Sequence, residues 1–519
     1  MLSNTRGLGD IPISERARFL ASSRKRRPGV RARRVAVAAA ALLAAALVLA
    51  PAAAFAAPSS SSGGYPPNTF PATAPSTTIT WWTFTANAKS QVAAFNKVYP
   101  NIHVDTPLVG SDYTKLTTVV KGGSGGPDVA EIEYEYLPKF IATGGILDIS
   151  KYVDKYKNLF YPWTWTQVSQ GSAVYGVPQD VGPTALTYQP AVFAKDGLTV
   201  PKTWAEFAAD ARVIHDKNPK QYITYVPLND GAWWTMLYWQ AGAVMFKNTS
   251  QGWQVDLNSS IVKKVTDYWA GLIKDGLVDP TQDWTPSWEN SVGQGTYAAM
   301  AGATWTPDYM VHPFSNAATA NAWRMTDFPQ WSTGDPVGAN VGGASNVVLK
   351  QSKHPAAAAL FAAWIDGSQQ GVTTRITSVD KGGQGMTAAA SNSDLLPAFS
   401  APSSALGGQD PSPVISKAAA SVNPNYQWSP WSDYVFNEMT IEFTKAANGN
   451  ETWNQALDNL QHNVSVFGAS MGYTMAPAPS GQSSGSAESA PSPALWVVIG
   501  LAVLAIAAFI YRRRLTAES

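Results

Sequence analysis

Three glutamates, Glu131, Glu133 and Glu135, alternate along the chain. If the segment stays extended through all three, their carboxylates share one face of a strand. Such a face suits a cationic ligand: an amino sugar, a polyamine or Ca²⁺. If the strand instead ends near Ile132, the later acids splay apart in a loop. Asp180 is the other acid of interest. Placed across a cleft from Glu133, it would supply the second of the two carboxylates that glycosidic cleavage requires. Other catalytic chemistries find little to use. The five histidines, at positions 103, 215, 312, 354 and 462, are scattered, with no H-E-x-x-H pattern and no metal-ligand spacing. There is no G-x-S-x-G elbow and no P-loop. The absence of cysteine removes disulfides, thiolate metal sites, a Cys nucleophile and a lipid-modified N-terminal Cys.

Aromatic residues are the second chemical signal. The chain carries 20 Trp, 20 Tyr and 18 Phe. An indole offers a wide flat face and one N–H donor. That suits a core, and it equally suits a surface that stacks on sugar rings. Trp305 stands out because residues 302–307 lack the periodicity of a core helix. It follows the small apolar run 298–301, which reads as a strand, and a large ring just past a strand end has little protein to cover it.

The elements that must hold these residues occupy the middle of the chain. Residues 1–34 carry a charge of about +8, the tail after Tyr511 about +2, and the remainder about −9, although the formal total is only +1. A body this acidic is a poor partner for nucleic acid. Residues 35–50 form a short apolar run after the basic stretch, followed by Ala54-Phe55-Ala56, the form of a cleavable secretory signal. Residues 495–511 are uncharged, bear Trp496 and Tyr511 at their ends, and run into Arg512, Arg513 and Arg514. The positive-inside rule puts those arginines in the cytoplasm. The expected organisation is a signal peptide over 1–56, a disordered linker over 57–76, a folded body over 77–473, a flexible linker over 474–493, a transmembrane anchor over 494–511 and a cytoplasmic tail over 512–519.

Within the body, residues 77–84 read as a strand, and 88–99 as a helix with Val92, Phe95 and Val98 on one face and Pro100 as its stop. A strand over 101–109, a helix over 113–121 and a strand over 127–132 follow. This alternation predicts a mostly parallel sheet covered by helices. Thr203 and Glu206 have the spacing of a capping box. Pro355 opens a helix through residue 365, and residues 451–464 form the closing amphipathic helix.

These pieces, taken in order, resemble a family. The strand ending in Trp82, Phe95…Tyr99-Pro100, Gly126-Pro127-Asp128-Val129, Tyr175-Gly176-Val177-Pro178 and Leu186-Thr187-Tyr188 belong to the pattern. So do Pro201-Lys202-Thr203-Trp204, residues 295–305, Gly342-Gly343, Ser352-Lys353-His354-Pro355 and Ala447-Asn448-Gly449. Over residues 77–470 the body resembles the carbohydrate-binding proteins of ABC importers, the group that includes the maltodextrin-binding proteins. The resemblance implies an α/β, two-lobed periplasmic-binding-protein-like (type II) fold with an interlobe cleft, here with a C-terminal transmembrane helix added. Lobe 1 would span about 77–180 and 328–373, and lobe 2 about 184–327 and 379–473. Crossovers are expected near 179–184, 328–331 and 373–379.

The resemblance also implies the ligand contacts. Trp305 occupies the place of a stacking Trp; Glu133, Tyr134 and Glu135 follow the third strand; Asp180 lies at the first crossover. Trp82 and Thr83 end the first strand. Of Trp233 and Trp234, one is expected to face the cleft and the other to pack inward. Trp428 and Trp431 precede the helix at 434–447, and Asn346 and Gln384 lie beside Gly-rich turns. The implied role is capture of a mono- or oligosaccharide for delivery to ABC permease subunits. It would be performed outside the cell membrane by a monomer with no cofactor, no metal and no catalysis. A binder of a cationic ligand, a tethered carbohydrate sensor and a surface glycan-active enzyme are the competing readings.

Overall fold

In the computed structural model the described residues are 70–477, except 86, 111–112, 312, 317–318, 335, 378–387 and 392. The expected signal peptide, transmembrane anchor and cytoplasmic tail, and Gln384, lie outside them. Among the described residues no helix is long and apolar enough to cross a membrane.

The β-branched and aromatic segment Thr77–Trp82 forms an interior strand of a first, five-stranded sheet. Ile102–Asp105 and Val129–Glu133 pair with it in parallel on either side. Ala344–Val348 then pairs antiparallel with Val129–Glu133, and Gly176–Pro178 antiparallel with Ala344–Val348. The helix Ala88–Val98 connects the first two strands and buries Val92 and Phe95. Phe95 meets Phe361 and Trp364 edge-on at 5.0 and 5.5 Å. Those two rings come from the helix Pro355–Gly367, which opens with the expected proline. The body starts earlier than expected: Phe70 stacks on Tyr156 at 4.4 Å, and Tyr99 donates to the Pro71 carbonyl.

The second half of the fold carries a two-stranded and a three-stranded sheet, joined by backbone bonds and taken together below as the second sheet. Asp279–Thr281 and Tyr225–Pro227 run parallel. Bonds from Ala298 N and Ala299 N to the Tyr222 and Ile223 carbonyls bring Ala299–Ala303 alongside. Thr184–Tyr188 is antiparallel to Ala299–Ala303, and Arg324–Asp327 is antiparallel to Thr184–Tyr188. Both halves of the expected capping box form at Thr203 and Glu206, opening the helix Trp204–Lys217. Trp204 packs against Phe207, Trp269 and Phe328 at 5.1–5.4 Å, the centre of this core.

Residues 179–183 carry the chain from the first sheet to the second. The return is not at 328–331: there Gln330 pairs with the backbone of Lys202 and Trp204, still on the second sheet. It lies at 339–343, antiparallel to the first crossing, with Val341 N donating to Gly182 O and Thr184 N to Ala339 O at 2.9 and 3.0 Å. Residues 373–377 do not cross either. They close the helix Gln369–Thr377, whose Arg375 carbonyl accepts from Asn87 at the start of the first-sheet helix Ala88–Val98. The chain is on the second sheet by Gln409, whose side chain bonds the Met325 backbone in both directions. The helices Ser432–Ala447 and Trp453–Ser470 complete the second lobe. Beyond them residues 474–476, expected to be linker, pair with Trp253 through Trp253 N–Thr474 O and Ala476 N–Trp253 O bonds of 2.8 Å.

Candidate ligand-binding site

Parallel strands present their side chains to ligands at their C-terminal ends. In the first sheet those ends are Trp82-Thr83 and Glu133–Glu135. In the second they are Leu228–Asp230, the Asp283-Trp284 turn and Trp305. A Lys139–Asp433 ion pair of 2.6 Å and a Trp163 indole bond to the Ala419 carbonyl link the two lobes.

Carboxyl groups dominate the site. Glu131 is buried and accepts from Thr83 Oγ1, Phe84 N, Thr85 N and, at 2.5 Å, Gln179 Nε2. It thereby shapes the loop that follows the first strand. Burial and then the Asp180 charge push its pKa up to about 7. Glu133 accepts from the Tyr113 hydroxyl at 3.1 Å and is also raised to about 7, burial again first. Glu135 is 5% exposed, and its Oε2 has no partner. Burial, followed by the Glu133 charge, holds it well above the usual range. Asp180 accepts from Ala344 N at 2.7 Å through Oδ1, whereas its buried Oδ2 has no partner; burial raises it. From the second lobe, Asp230 caps the helix Gly231–Gln240 by accepting from Ala232 N and Trp233 N. Asp283 beside it is buried with neither carboxyl oxygen bonded, and is raised to about 7 by burial and by Asp230. Dry carboxyl oxygens of this kind bind donors strongly and are costly to leave unmatched. Among the described residues no group of three His, Asp or Glu side chains could hold a metal ion.

The aromatic candidates divide. Trp305 is half-buried, meets Tyr309 edge-on at 6.3 Å, and donates its indole N–H to the Val341 carbonyl at 2.9 Å. The N–H is therefore committed to the return crossing, leaving the ring face for other contacts. Trp82 is buried with the Lys115 ammonium over its ring at 4.1 Å. Trp233 and Trp234 do not split as expected. Both are buried, with indole bonds to Ala301 O and Pro227 O, because every residue of their helix except Ala232 is buried. Trp428 lies in the core against Tyr426, and Trp431 against Trp253 and Tyr473. Asn346 is fully buried and engaged internally: it accepts from Trp81 and donates to Gln179 and Asp366, so both its N–H donors are used. Tyr134 is buried and donates to the Asp180 carbonyl; Thr83 is buried on Glu131. Sequence reasoning missed Tyr113, Asp230, Asp283, Trp284 and Tyr309 as candidate site residues. The Asn229-Asp230-Gly231 helix start was a usable signal for Asp230.

The profile of the bacterial extracellular solute-binding proteins matches residues 44–371, more than half the chain. The chain belongs to that family. This solute-binding protein is 26% identical over 310 residues to the arabinooligosaccharide-binding protein of Bacillus subtilis (strain 168), covering 57% of this chain and 70% of the relative. Among solved structures it resembles the binding protein of an ABC transporter of B. animalis subsp. lactis Bl-04 in complex with β-1,6-galactobiose. There the TM-score is 0.66 and the identity 28%, over 78% of this chain and all of that one. The galacto-N-biose-/lacto-N-biose I-binding protein of Bifidobacterium longum, at 24% identity and TM-score 0.67 over 78% of this chain and 100% of that one, shares the fold. The members of this family are binding proteins, and the fold is the two-lobed α/β fold of these neighbours.

Proposed function

We propose that this protein is the ligand-capturing component of an ABC-type sugar importer, closing its two lobes on a mono- or oligosaccharide and passing it to membrane permease subunits. The observation that carries this reading is the pairing of unpartnered buried carboxyl oxygens on Glu135, Asp180 and Asp283 with incompletely buried aromatic rings, Trp284, Trp305 and Tyr309, at strand ends of the second sheet. Hydroxyl rims need acceptors, and C–H faces need rings. The relatives that bind arabino- and galacto-oligosaccharides support it. In this reading the signal sequence directs export, and residues 494–511 tether the body to the outside of the cell membrane, with Arg512–Arg514 in the cytoplasm. The protein itself makes and breaks no bond.

The test is calorimetric titration of the detergent-extracted chain with arabino-oligosaccharides, β-1,6-galactobiose and lacto-N-biose, with chromatography of the sugar afterwards. Binding without cleavage is expected; no binding to any member of a broad glycan library, or cleavage, refutes the proposal. A second reading, a ligand bearing an ammonium group, is favoured by the four unpartnered carboxyl oxygens on Glu135, Asp180 and Asp283. Glucosamine oligomers titrated beside their N-acetylated forms separate the two. Protease added outside intact cells should release the body, and N-terminal sequencing should begin near Ala57.

A further inference from the structure

The turn after the strand Asp279–Thr281 departs from ordinary chain preferences twice. Trp284 has φ +55°, the left-handed region that bulky residues avoid. Its ring is also 51% exposed, although an indole is among the most favourable groups to bury. The ring is nevertheless held in place: it leans on Trp288 at 5.7 Å and on Phe314 at 6.4 Å. Trp288 in turn packs on Tyr225 from the neighbouring strand.

The preceding residue is equally costly. Asp283 is 2% exposed, and neither carboxyl oxygen makes a well-formed hydrogen bond; the Asn229 amide and the residue's own N–H lie close enough only to oppose the rise that burial imposes on its pKa. Its backbone is clamped on both sides. Asn229 Oδ1 accepts from Asp283 N at 3.1 Å, and Asn229 Nδ2 donates to Asp283 O at 3.4 Å. On the other side Thr285 caps the helix Pro286–Gln294. The Asp230 charge acts on Asp283 and also on Glu133 and Glu135 of the first lobe, so all three acids lie within its electrostatic reach.

We infer that Asp283 and Trp284 form a second sugar subsite, on the far lobe, where the Asp283 carboxyl receives hydroxyls of one ring and the exposed face of Trp284 carries that ring's C–H surface. This rests on the sugar-binding reading above. It makes the ligand an oligosaccharide. The first-lobe acids and Trp305 hold one ring, and Asp283-Trp284 hold the next.

Trp284→Gly removes the ring while retaining a residue at ease at φ +55°, and Asp283→Asn removes the charge at constant shape. Full-length protein is titrated with arabinose, arabinobiose and arabinotriose, and with galactose, β-1,6-galactobiose and β-1,6-galactotriose. Each variant should lose at least tenfold in affinity for the di- and trisaccharides of the bound series and less than twofold for its monosaccharide. The ligand-free melting temperature of the Gly variant should stay within about 2 °C of wild type. Unchanged oligosaccharide affinity in both variants, with wild type binding, overturns the subsite and leaves the sugar-binding reading intact. An equal loss at every length places Trp284 against the first ring and also overturns it. Wild type that binds none of these sugars, nor any in a broad library, overturns the underlying reading and the subsite with it.

Discussion

Gly182→Ala tests whether the two crossings are packed as closely as described. A Cβ at Gly182 would lie 2.1 Å from the Val341 carbonyl oxygen and 2.4 Å from Trp305 Nε1, where ordinary contact begins near 3.4 Å. The carbonyl is backbone, so no side-chain rotation relieves the clash, and the crossings must part by roughly 1 Å. Three bonds lie across that gap. Val341 N donates to Gly182 O at 2.9 Å, Gly182 N to Asn340 Oδ1 at 2.7 Å, and Trp305 Nε1 to Val341 O at 2.9 Å. At about 0.5–1.5 kcal/mol each, with overpacking strain of about 1–3 kcal/mol, the expected loss is about 2.5 kcal/mol at the least and about 7.5 kcal/mol if all three bonds break. The crossings also carry Asp180 and anchor Trp305, so sugar affinity should fall with stability. Urea unfolding followed by Trp fluorescence measures the first effect, and calorimetric titration the second. A variant within about 0.5 kcal/mol of wild type, with unchanged affinity, would refute the packing argument.

Glu131, Glu133 and Asp283 are raised to about 7 from reference values of 4.5, 4.5 and 3.8. The folded protein keeps protons that the unfolded chain has released; their stabilisation is complete below about pH 4 and lost as pH rises through 7. The ligand-free melting temperature should therefore fall between pH 5 and pH 8, and Glu131→Gln should flatten that fall; a melting temperature that rises over this range contradicts the assignment. Arg375, fully buried, donates to Asp366 at 2.6 Å and Gln91 at 2.9 Å. Arg375→Met should cost about 3–5 kcal/mol by stranding the Asp366 charge, and adding Asp366→Asn should recover much of it, as denaturant titration of both proteins would show. Gly271 lies in the last turn of the helix Ser260–Lys274, and a Cβ added there would meet no atom within 4 Å. Gly271→Ala should stabilise by about 0.5–1 kcal/mol in the same assay, serving as the opposite-sign control for Gly182→Ala.

How much of this was legible in the sequence depends on how local its cause is. The strand at Thr77–Trp82, the Thr203–Glu206 capping box and the proline-led helix Pro355–Gly367 follow from nearest-neighbour chemistry, and they form as expected. The return crossing does not. Residues 328–331 and 339–343 are both irregular, and only pairing of the latter with Gly182 and Thr184, over 150 positions away, distinguishes them. The strand Asp279–Thr281 was equally hidden, being three residues long with Pro280 at its centre. The tryptophans failed for another reason: an indole suits a core and a sugar platform alike. Only the burial of a whole helix, as at Gly231–Gln240, shows that Trp233 and Trp234 are both buried.

The misses at the site have a common form. Glu133 and Glu135 were visible because their alternation is a pattern. Asp283-Trp284 carries no pattern; its significance lies in conflict with local preference. Residues 285–286, Thr-Pro, are an ordinary helix opening, and the structure uses them as one. Nothing in that signal says that the preceding Trp adopts a left-handed conformation or that the preceding Asp stays unbonded in a dry environment. Each is unfavourable alone, and a chain selected for stability would relieve both with a Gly or Asn at 284 and an apolar residue at 283. The two costs are adjacent, at the end of a parallel strand, and clamped by Asn229 rather than relaxed. Local rules broken side by side and then braced are what a binding surface requires when it must stay unsatisfied until the ligand arrives.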